Sequence, residues 1–439
     1  MSSSFFHSVT LERDKCKGCI NCIKRCPTEA IRVRNGKAQI LTERCIDCGE
    51  CIRVCPHHAK QPIYDPLSSI DSFKYKVALP APALFGQFHN LDDLNIVLKA
   101  LLSLGFDDVF EVSKAAELVS DATRSFMQKN PRRPVISSAC PAVVRLIRVR
   151  FPNLLEYLLP LNAPIEVAAR MARAEAVKKT GLPPDQIGIV FISPCAAKVT
   201  AVKMPLGNEK SEVDCVIAIK EIYPRLLPLM KLAANDPGEM TETGRIGLSW
   251  GGSGGEASGT LTEQYLAADG IENVIKVLED LEDEKFPELE FIELNACTGG
   301  CVGGVLTVEN PYVAKTRLKN LRKYLPVARN HLGEEIPEEF QWDQEIQYEP
   351  VLKIADGVSE AITKMAILDN IDKTLPGLDC GSCGAPSCRA LAEDVVRGVA
   401  QVDDCIFRLR EQMHALVKGL SQLEGSFPAP FRAEQEEEE

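Results

Sequence analysis

The chain has 439 residues, 45% of them hydrophobic, and this length predicts about two to four domains with sizeable cores. It contains no run of about 18 apolar residues, and its N-terminus lacks an export signal, so we expect a cytoplasmic protein without a membrane span. The net charge is −12 without a basic stripe, which argues against nucleic acid as a partner.

The seventeen cysteines carry most of the information in this sequence. An odd number leaves one cysteine over in any disulfide scheme, and the cytosol keeps thiols reduced. The cysteines also cluster in short runs, which favours metal sites over disulfide bridges.

Two cysteine runs lie near the N-terminus, and both read C-x2-C-x2-C-x3-C-P. This is the bacterial ferredoxin pattern, in which the fourth cysteine of each run ligates the other cluster. We therefore assign one 4Fe–4S cluster to Cys16, Cys19, Cys22 and Cys55. The second cluster is assigned to Cys45, Cys48, Cys51 and Cys26. Zinc or free thiols are the alternative interpretation.

Beyond a linker at 61–74, strand and helix patterns alternate. We predict strands at 75–79, 108–112, 134–137, 188–192, 216–219, 246–250 and 289–294. We predict helices at 91–104, 114–128, 162–180 and 256–267. This alternation predicts an α/β domain of parallel sheets flanked by helices. In such folds ligands bind at the carboxyl ends of the strands.

Four further cysteines follow three of these strands. Cys140 lies in Ser-Ser-Ala-Cys-Pro, Cys195 in Ser-Pro-Cys-Ala-Ala-Lys, and Cys297 and Cys301 in Asn-Ala-Cys-Thr-Gly-Gly-Cys-Val-Gly-Gly. Loops at the ends of strands can converge on one point, and the glycines allow the backbone to approach a bulky centre closely. Buried free thiols are the alternative.

These three loops resemble the catalytic domain of the iron–iron (FeFe) hydrogenases, over roughly residues 76–350. The resemblance implies that Cys140, Cys195, Cys297 and Cys301 hold a 4Fe–4S cube. It also implies that Cys301 bridges to a two-iron unit with CO, CN and a dithiolate amine, and that Lys198 hydrogen-bonds a cyanide. A lysine beside an anionic centre is a sensible arrangement, and a surface lysine is the alternative.

The sequence departs from the family pattern at several places. Ala139 replaces the cysteine that relays protons to the bridging amine, and alanine cannot exchange a proton. These differences resemble the sensory branches of the family, in particular group D, and predict slow turnover. The other departures are Ser193, Ala201, Asn295 and the pair Ala122-Thr123.

A last run near the C-terminus has the spacing C-x2-C-x4-C-x16-C. It resembles the four-cysteine iron–sulfur domain of several redox proteins and predicts a further 4Fe–4S cluster, with zinc as the alternative. Its four cysteines are Cys380, Cys383, Cys388 and Cys405. Cys215 is left over and is interpreted as a core residue. The glycines at 251–255 lack a nucleotide-binding motif.

The sequence thus predicts four segments. They are a two-cluster ferredoxin domain of α+β type (1–65), a hydrogenase-like domain (75–350), a small helical cluster domain (355–425) and an acidic tail (426–439). We expect reversible oxidation of H2 to protons and electrons, slow and sensory, with a protein electron donor or acceptor or a signalling partner. The alternatives are an electron-transfer or cluster-handling protein without the two-iron unit, and an ordinary high-turnover hydrogenase.

Overall fold

The computed structural model of the chain describes residues 6–333, 335–351 and 353–426. Its strands are β1 (Val9–Leu11), β2 (Ile31–Arg34), β3 (Lys37–Ile40), β4 (Lys60–Pro62), β5 (Tyr75–Pro80), β6 (Asp108–Val109), β7 (Val135–Ile136), β8 (Ile187–Ser193), β9 (Cys215–Ala218), β10 (Tyr265–Asp269) and β11 (Phe291–Asn295).

Its α-helices up to residue 203 are α1 (Asn21–Lys24), α2 (Glu50–Arg53), α3 (Pro82–Phe85), α4 (Leu94–Leu104), α5 (Val112–Lys129), α6 (Pro141–Arg150), α7 (Pro164–Thr180) and α8 (Ala196–Lys203). The later α-helices are α9 (Ile219–Ala233), α10 (Arg245–Ser249), α11 (Gly255–Gly259), α12 (Ile271–Glu282), α13 (Pro311–Leu321), α14 (Val358–Thr374), α15 (Cys388–Val396) and α16 (Ile406–Ser426).

The contacts divide the chain into two compact units, and each unit joins separate segments of the sequence. The large unit comprises Met1–Lys15 and Thr42–Val351, and the small unit comprises Cys16–Leu41 and Leu352–Glu439.

Two parallel sheets form the framework of the large unit. One has the strand order β6-β5-β8-β9 and the other β10-β11-β7. Every residue of β8 is buried, as expected for a strand that is covered on both faces of a parallel sheet. These sheets, flanked by helices, confirm the predicted α/β class. The loops that follow β7, β8 and β11 leave from the carboxyl ends of parallel strands, which is where such sheets bind ligands.

The helices that cover the first sheet follow the predicted amphipathic pattern. Asp93 caps α4 by accepting a hydrogen bond from the amide of Asn95. In α5 the face with Ala115, Val119 and Ala122 is buried in the core. The predicted helices at 91–104, 114–128 and 162–180 are therefore confirmed, with ends that shift by at most three residues.

Three of the predicted elements are wrong. The predicted strand at 246–250 is helix α10, because a short apolar run has no period that separates a strand from a buried helix. The predicted helix at 256–267 contains only the short α11, and the edge strand β10 follows because it pairs with β11. The predicted strand at 108–112 shrinks to β6, since α5 begins at Val112.

The small unit contains a β-hairpin and a helical core. The hairpin of β2 and β3 turns at Asn35 and Gly36, whose φ angles of 52° and 69° suit a two-residue loop. The core around Leu368, Leu391 and Cys405 joins α14, α15 and the start of α16. In the part of the chain that the structure describes, no helix has the length and apolarity that crossing a membrane requires.

Candidate functional site

Three loops of the large unit bring four cysteines together. Cys140 follows β7 and directly precedes α6, and Cys195 follows β8 and directly precedes α8. Cys297 and Cys301 lie in the loop after β11. Each of the four thiols interacts electrostatically with Lys198. The fold therefore brings the three loops close to one side chain, as the sequence predicts. The ligand roles of the four thiols stay a prediction.

Close backbone packing fixes the loops against one another. A Cβ atom on Gly304 would lie 1.9 Å from the carbonyl oxygen of Pro194, so only glycine allows the third loop to touch the second. Gly300 has a φ of 86°, and a Cβ there would lie 2.4 Å from the amide nitrogen of Ser253. The glycine-rich segment at 251–255 thus forms a wall of the cysteine site.

Hydrogen bonds hold the second loop in place. The hydroxyl of Ser193 accepts a hydrogen bond from the amide of Cys195 and donates one to the carbonyl oxygen of the same residue, both at 3.1 Å. Ser193 is itself fully buried. Ser193, one of the departures from the family pattern, therefore fixes the backbone of Cys195 two residues later.

Burial and mutual repulsion disfavour the charged form of three of these thiols, those of Cys140, Cys195 and Cys301. Burial raises the pKa of Cys195 to about 12 and that of Cys301 to about 11, although Lys198 opposes both shifts. Burial also raises the pKa of Cys140. Thiolates are the form that binds metal, so a metal centre would displace the protons of these thiols. Four sulfur donors on glycine-rich loops fit an iron–sulfur cube.

Lys198 is the cation of this site. Burial acts to lower its pKa, but the negative charges of Cys301, Cys195, Cys140 and Cys297 outweigh burial and raise it. Its Nζ donates a hydrogen bond to the carbonyl oxygen of Ala139 at 3.2 Å. Lys198 is therefore protonated when these sulfurs are thiolates, as metal binding requires, and its charge favours an anionic group at the cysteines.

A cavity opens beside the cysteines, and two acidic side chains line it. They are Glu256 of α11 and Glu293 of β11, and the cavity wall also includes Ala139, Lys198 and Cys301. Glu256 accepts a hydrogen bond from the hydroxyl of Ser137 at 2.7 Å. Sequence reasoning missed both carboxyls, although Glu293 begins the third cysteine loop.

The two carboxyls interact electrostatically, and the pKa of each is raised. Burial, with the charge of Glu293 as a second cause, raises the pKa of Glu256 to about 8. Burial also raises the pKa of Glu293, although the amides of Ala257 and Gly254 donate hydrogen bonds to it. Asn295, another departure from the family pattern, donates a hydrogen bond to Glu293 at 2.7 Å. Such paired carboxyls can hold and release a proton.

The second ferredoxin-like run lies in the same large unit as the cysteine loops. Arg53 of α2 donates a hydrogen bond to the carbonyl oxygen of Gly303 at 2.6 Å. The charges of Cys297 and Cys48 both favour the protonated form of Arg53 and help to raise its pKa against burial. One guanidinium therefore interacts with a thiol of each cysteine group.

A buried acidic side chain ties this run to α8. Asp47 accepts hydrogen bonds from the ring of His7 at 2.9 Å and from the hydroxyl of Thr200 at 3.0 Å. The ligand atoms of His7, Cys45 and Asp47 lie within 4.8 Å of one another. Since Cys45 is predicted to bind iron, Asp47 and His7 would surround that thiol.

The small unit holds the other two cysteine runs. Gly384, with a φ of 81°, lies in the C-terminal run, and its carbonyl oxygen accepts a hydrogen bond from the amide of Val33 at 2.7 Å. Asp394 is buried and accepts hydrogen bonds from Arg32 at 2.7 Å and Arg34 at 2.6 Å. Contacts between distant parts of the sequence therefore bring the first ferredoxin-like run and the C-terminal run together.

Cys215 lies apart from all four groups. It is buried in β9 among the apolar residues of the first sheet, as the sequence predicts. Burial raises the pKa of its thiol to about 11.

Comparison with known proteins agrees with these features. The family described as "Iron only hydrogenase large subunit, C-terminal domain" matches residues 74–258 and 253–305. The family described as "4Fe-4S dicluster domain" matches residues 8–56, and a family named FeS matches residues 375–407.

Individual relatives are distant. Iron hydrogenase 1 of Clostridium pasteurianum is 24% identical over 369 residues, which cover 68% of this chain and 64% of that protein. The cytosolic Fe-S cluster assembly factor narfl of Xenopus tropicalis is 23% identical over 259 residues, covering 46% of this chain and 54% of that protein. A variant of [FeFe]-hydrogenase HydA1 from Chlamydomonas reinhardtii has a TM-score of 0.47 at 16% identity, covering 60% of this chain and 87% of that one.

The chain therefore spans less than two thirds of the length of the clostridial relative. The hydrogenase family nevertheless matches more than half of this chain, and iron–sulfur families match on either side of it. The chain belongs to the iron-only hydrogenase large-subunit family.

Proposed function

We propose that this chain reversibly oxidises H2 to protons and electrons at a centre held by Cys140, Cys195, Cys297 and Cys301. The observation that carries the proposal is the electrostatic interaction of all four thiols with Lys198. On this proposal the four thiolates would hold a 4Fe–4S cube, and Cys301 would also help to hold a two-iron unit, which would supply the chemistry of H2 splitting.

The side chains around the centre would then have separate tasks. Lys198 would hold an anionic group in place through the positive charge of its ammonium group. Glu256 and Glu293 would hold a proton beside the cavity, since burial raises the pKa of both carboxyls. Arg53 would stabilise negative charge on the cube, because it interacts with Cys297.

We further propose that turnover is slow and serves sensing. Ala139 lies in the cavity wall where the family has a proton-relaying cysteine, and a methyl group transfers no proton. The predicted cluster at Cys380, Cys383, Cys388 and Cys405 would offer a second route for electrons to a signalling partner. A site that binds H2 and changes its redox state can report on H2 without rapid turnover.

Infrared spectroscopy tests the central proposal. The chain is produced together with hydrogenase maturation proteins, and the spectrum is searched for the bands of bound CO and CN. We expect these bands, and we expect them to shift when H2 replaces argon. Bands that are absent from a protein with full iron content at all cysteine groups would contradict the proposal.

A second candidate is a cluster-handling protein without the two-iron unit. The similarity to the assembly factor narfl, which covers 46% of this chain, favours this candidate. It predicts paramagnetic iron–sulfur clusters without any CO or CN bands. The same spectra therefore distinguish the two functions.

A further inference from the structure

The last helix of the small unit carries an apolar stripe that is exposed to solvent. Its residues alternate in steps of three and four along α16, which is the a/d pattern of three heptads. They are Ile406, Leu409, Met413, Leu416, Leu420 and Leu423. Their exposed fractions range from 45% for Leu409 to 67% for Leu416. The stripe therefore does not belong to the core of its own unit.

The rest of the small unit supports this helix only at its beginning. Cys405 and Phe407 pack into the core of the unit, but almost every residue from Leu409 to Leu423 is exposed. A helix of 21 residues is about 31 Å long. Helical stability in proteins comes mainly from packing of an apolar face, so this face requires a partner.

The pattern itself indicates what kind of partner fits. An a/d stripe packs into the matching stripe of another helix, with each side chain filling a space between four side chains opposite. The positions that flank the stripe include Arg410, Gln412, Val417 and Gly419. Only Arg410 among them is charged, so two identical helices can meet there without opposing rows of like charge. The stripe is therefore complementary to a second copy of itself.

Charge favours one orientation of the two copies. Arg408 and Arg410 lie near the start of α16, whereas the chain that follows this helix carries five glutamates between 434 and 439. Parallel helices would bring two acidic tails together. Antiparallel helices would instead place the C-terminal end of α16, after which these glutamates follow in the sequence, beside Arg408 and Arg410 of the other copy.

We propose that two copies of this chain pair through α16 as an antiparallel, two-stranded coiled coil. Ile406 packs against Leu423 of the second copy, Leu409 against its Leu420, and Met413 against its Leu416. This two-fold arrangement is closed and buries the whole stripe. The contact begins directly after Cys405, a predicted ligand of the C-terminal cluster, and it does not depend on the hydrogenase function.

Light scattering after size exclusion measures the association of the full chain. We expect a mass twice the 48.2 kDa of one chain for the wild type. The double variant Leu416→Glu/Leu420→Glu should give the mass of one chain, since burying four carboxylates in the seam is unfavourable. Ser421→Glu, on the outer face, is the matched control and should stay dimeric. Iron content and visible absorption confirm that each variant keeps its clusters.

A monomeric wild type, or a double variant that still dimerises, would overturn the proposal. The orientation has its own test in Arg410→Glu. In the antiparallel pair this change should weaken dimerisation about threefold at low salt, and the effect should vanish at high salt. A dimer dissociation constant that does not change at low salt would overturn the antiparallel arrangement.

Discussion

Three charged side chains determine the protonation of the cavity beside the cysteine loops. Lys198 is held in its positively charged form when the four sulfurs are thiolates. Glu256 and Glu293 are pushed towards their neutral forms by burial. A protonated carboxyl that lines the same cavity as Lys198 and Cys301 is a proton store close to the proposed reacting centre.

Glu256→Gln is expected to slow proton exchange at the centre. Glutamine keeps the shape and the hydrogen bond with Ser137 but cannot release a proton. We expect the rate of H/D exchange between H2 and D2O to fall about a hundredfold. Glu263→Gln, at an exposed position of the following loop, is the control and should leave the rate unchanged. An unchanged rate in the Glu256 variant would exclude this carboxyl from the proton route.

The same variant has a second readout in the pH dependence of stability. The pKa of Glu256 rises from an ordinary 4.5 to about 8 in the folded chain, so folding favours the protonated form. The contribution of Glu256 to the free energy of unfolding is therefore fully present below pH 4.5 and is lost as the pH rises through about 8. Glu256→Gln should therefore flatten the fall in melting temperature over this range, as measured by differential scanning fluorimetry.

Ala139→Cys tests whether the missing thiol limits turnover. The new thiol would line the cavity with Lys198 and could exchange a proton there. We expect H2 evolution to increase about tenfold at most, since Ala122 and Thr123 also depart from the family pattern. Ala139→Ser is the control with a hydroxyl that ionises poorly. Wild-type turnover as fast as that of ordinary hydrogenases would refute the sensory proposal.

Arg53→Leu is expected to lower the reduction potential of the 4Fe–4S cube proposed at Cys140, Cys195, Cys297 and Cys301. The guanidinium interacts with Cys297, and a positive charge stabilises the more negative, reduced cluster. A loss of about 1 kcal/mol corresponds to about 40 mV for one electron. Redox titration followed by electron paramagnetic resonance measures this shift. Arg53→Lys should restore most of the potential, and an equal potential in all three proteins would contradict the assignment.

At the scale of elements, backbone contact between loops matters more than any single side chain. Parallel pairing aligns the carboxyl ends of β7 and β11 within one sheet, whereas β8 belongs to the other sheet. The loop after β11 then touches the loop after β8 through Gly304 and Pro194. The site therefore depends on the absence of a side chain at this contact.

Gly304→Ala should disrupt the assembly of the centre. The new methyl group would lie 1.9 Å from the carbonyl oxygen of Pro194 and force the two loops apart. We expect a destabilisation of about 1–3 kcal/mol and a lower iron content per chain. Gly252→Ala is a matched control, because its nearest neighbouring atom would lie 3.5 Å away. Thermal unfolding and iron analysis provide the measurements, and equal results for both variants would contradict the proposed contact.

At the scale of the whole molecule, each unit is assembled from segments that are far apart in the sequence. The small unit combines Cys16–Leu41 with the chain after Val351. Its internal contacts include the buried ion pairs of Asp394 with Arg32 and Arg34. Folding of the small unit therefore requires residues from both ends of the chain.

Asp394→Ala should destabilise the small unit by about 3–5 kcal/mol. The substitution removes the carboxylate partner of Arg32, whose side chain is only 4% exposed, and leaves its charge buried without an opposite charge. Asp369→Ala removes a partner of Arg389 at a half-exposed position and should cost less than about 1 kcal/mol. Chemical denaturation of the full chain, followed by circular dichroism, compares the two variants. Equal losses would show that the buried pair has no special role.

The sequence by itself determined the cysteine groups and the α/β class. Cysteine spacing is a local property, because thiols two to four residues apart reach one cluster from one loop. Alternating apolar runs likewise identify β5, β8 and β11 without knowledge of their partners. The families that match the chain confirm the hydrogenase and iron–sulfur character predicted from these patterns.

Only the tertiary structure decided which distant residues meet. The strand β10, which lies where the sequence predicts a helix, depends on parallel pairing with β11. The pairing of Glu256 with Glu293 and the contact of Arg53 with Gly303 depend on how helices and loops pack around the strands. Local patterns contain no information on such contacts, because they arise from packing between segments that lie far apart in the chain. The proton store and the charge beside the proposed centre are therefore properties of the fold rather than of any motif.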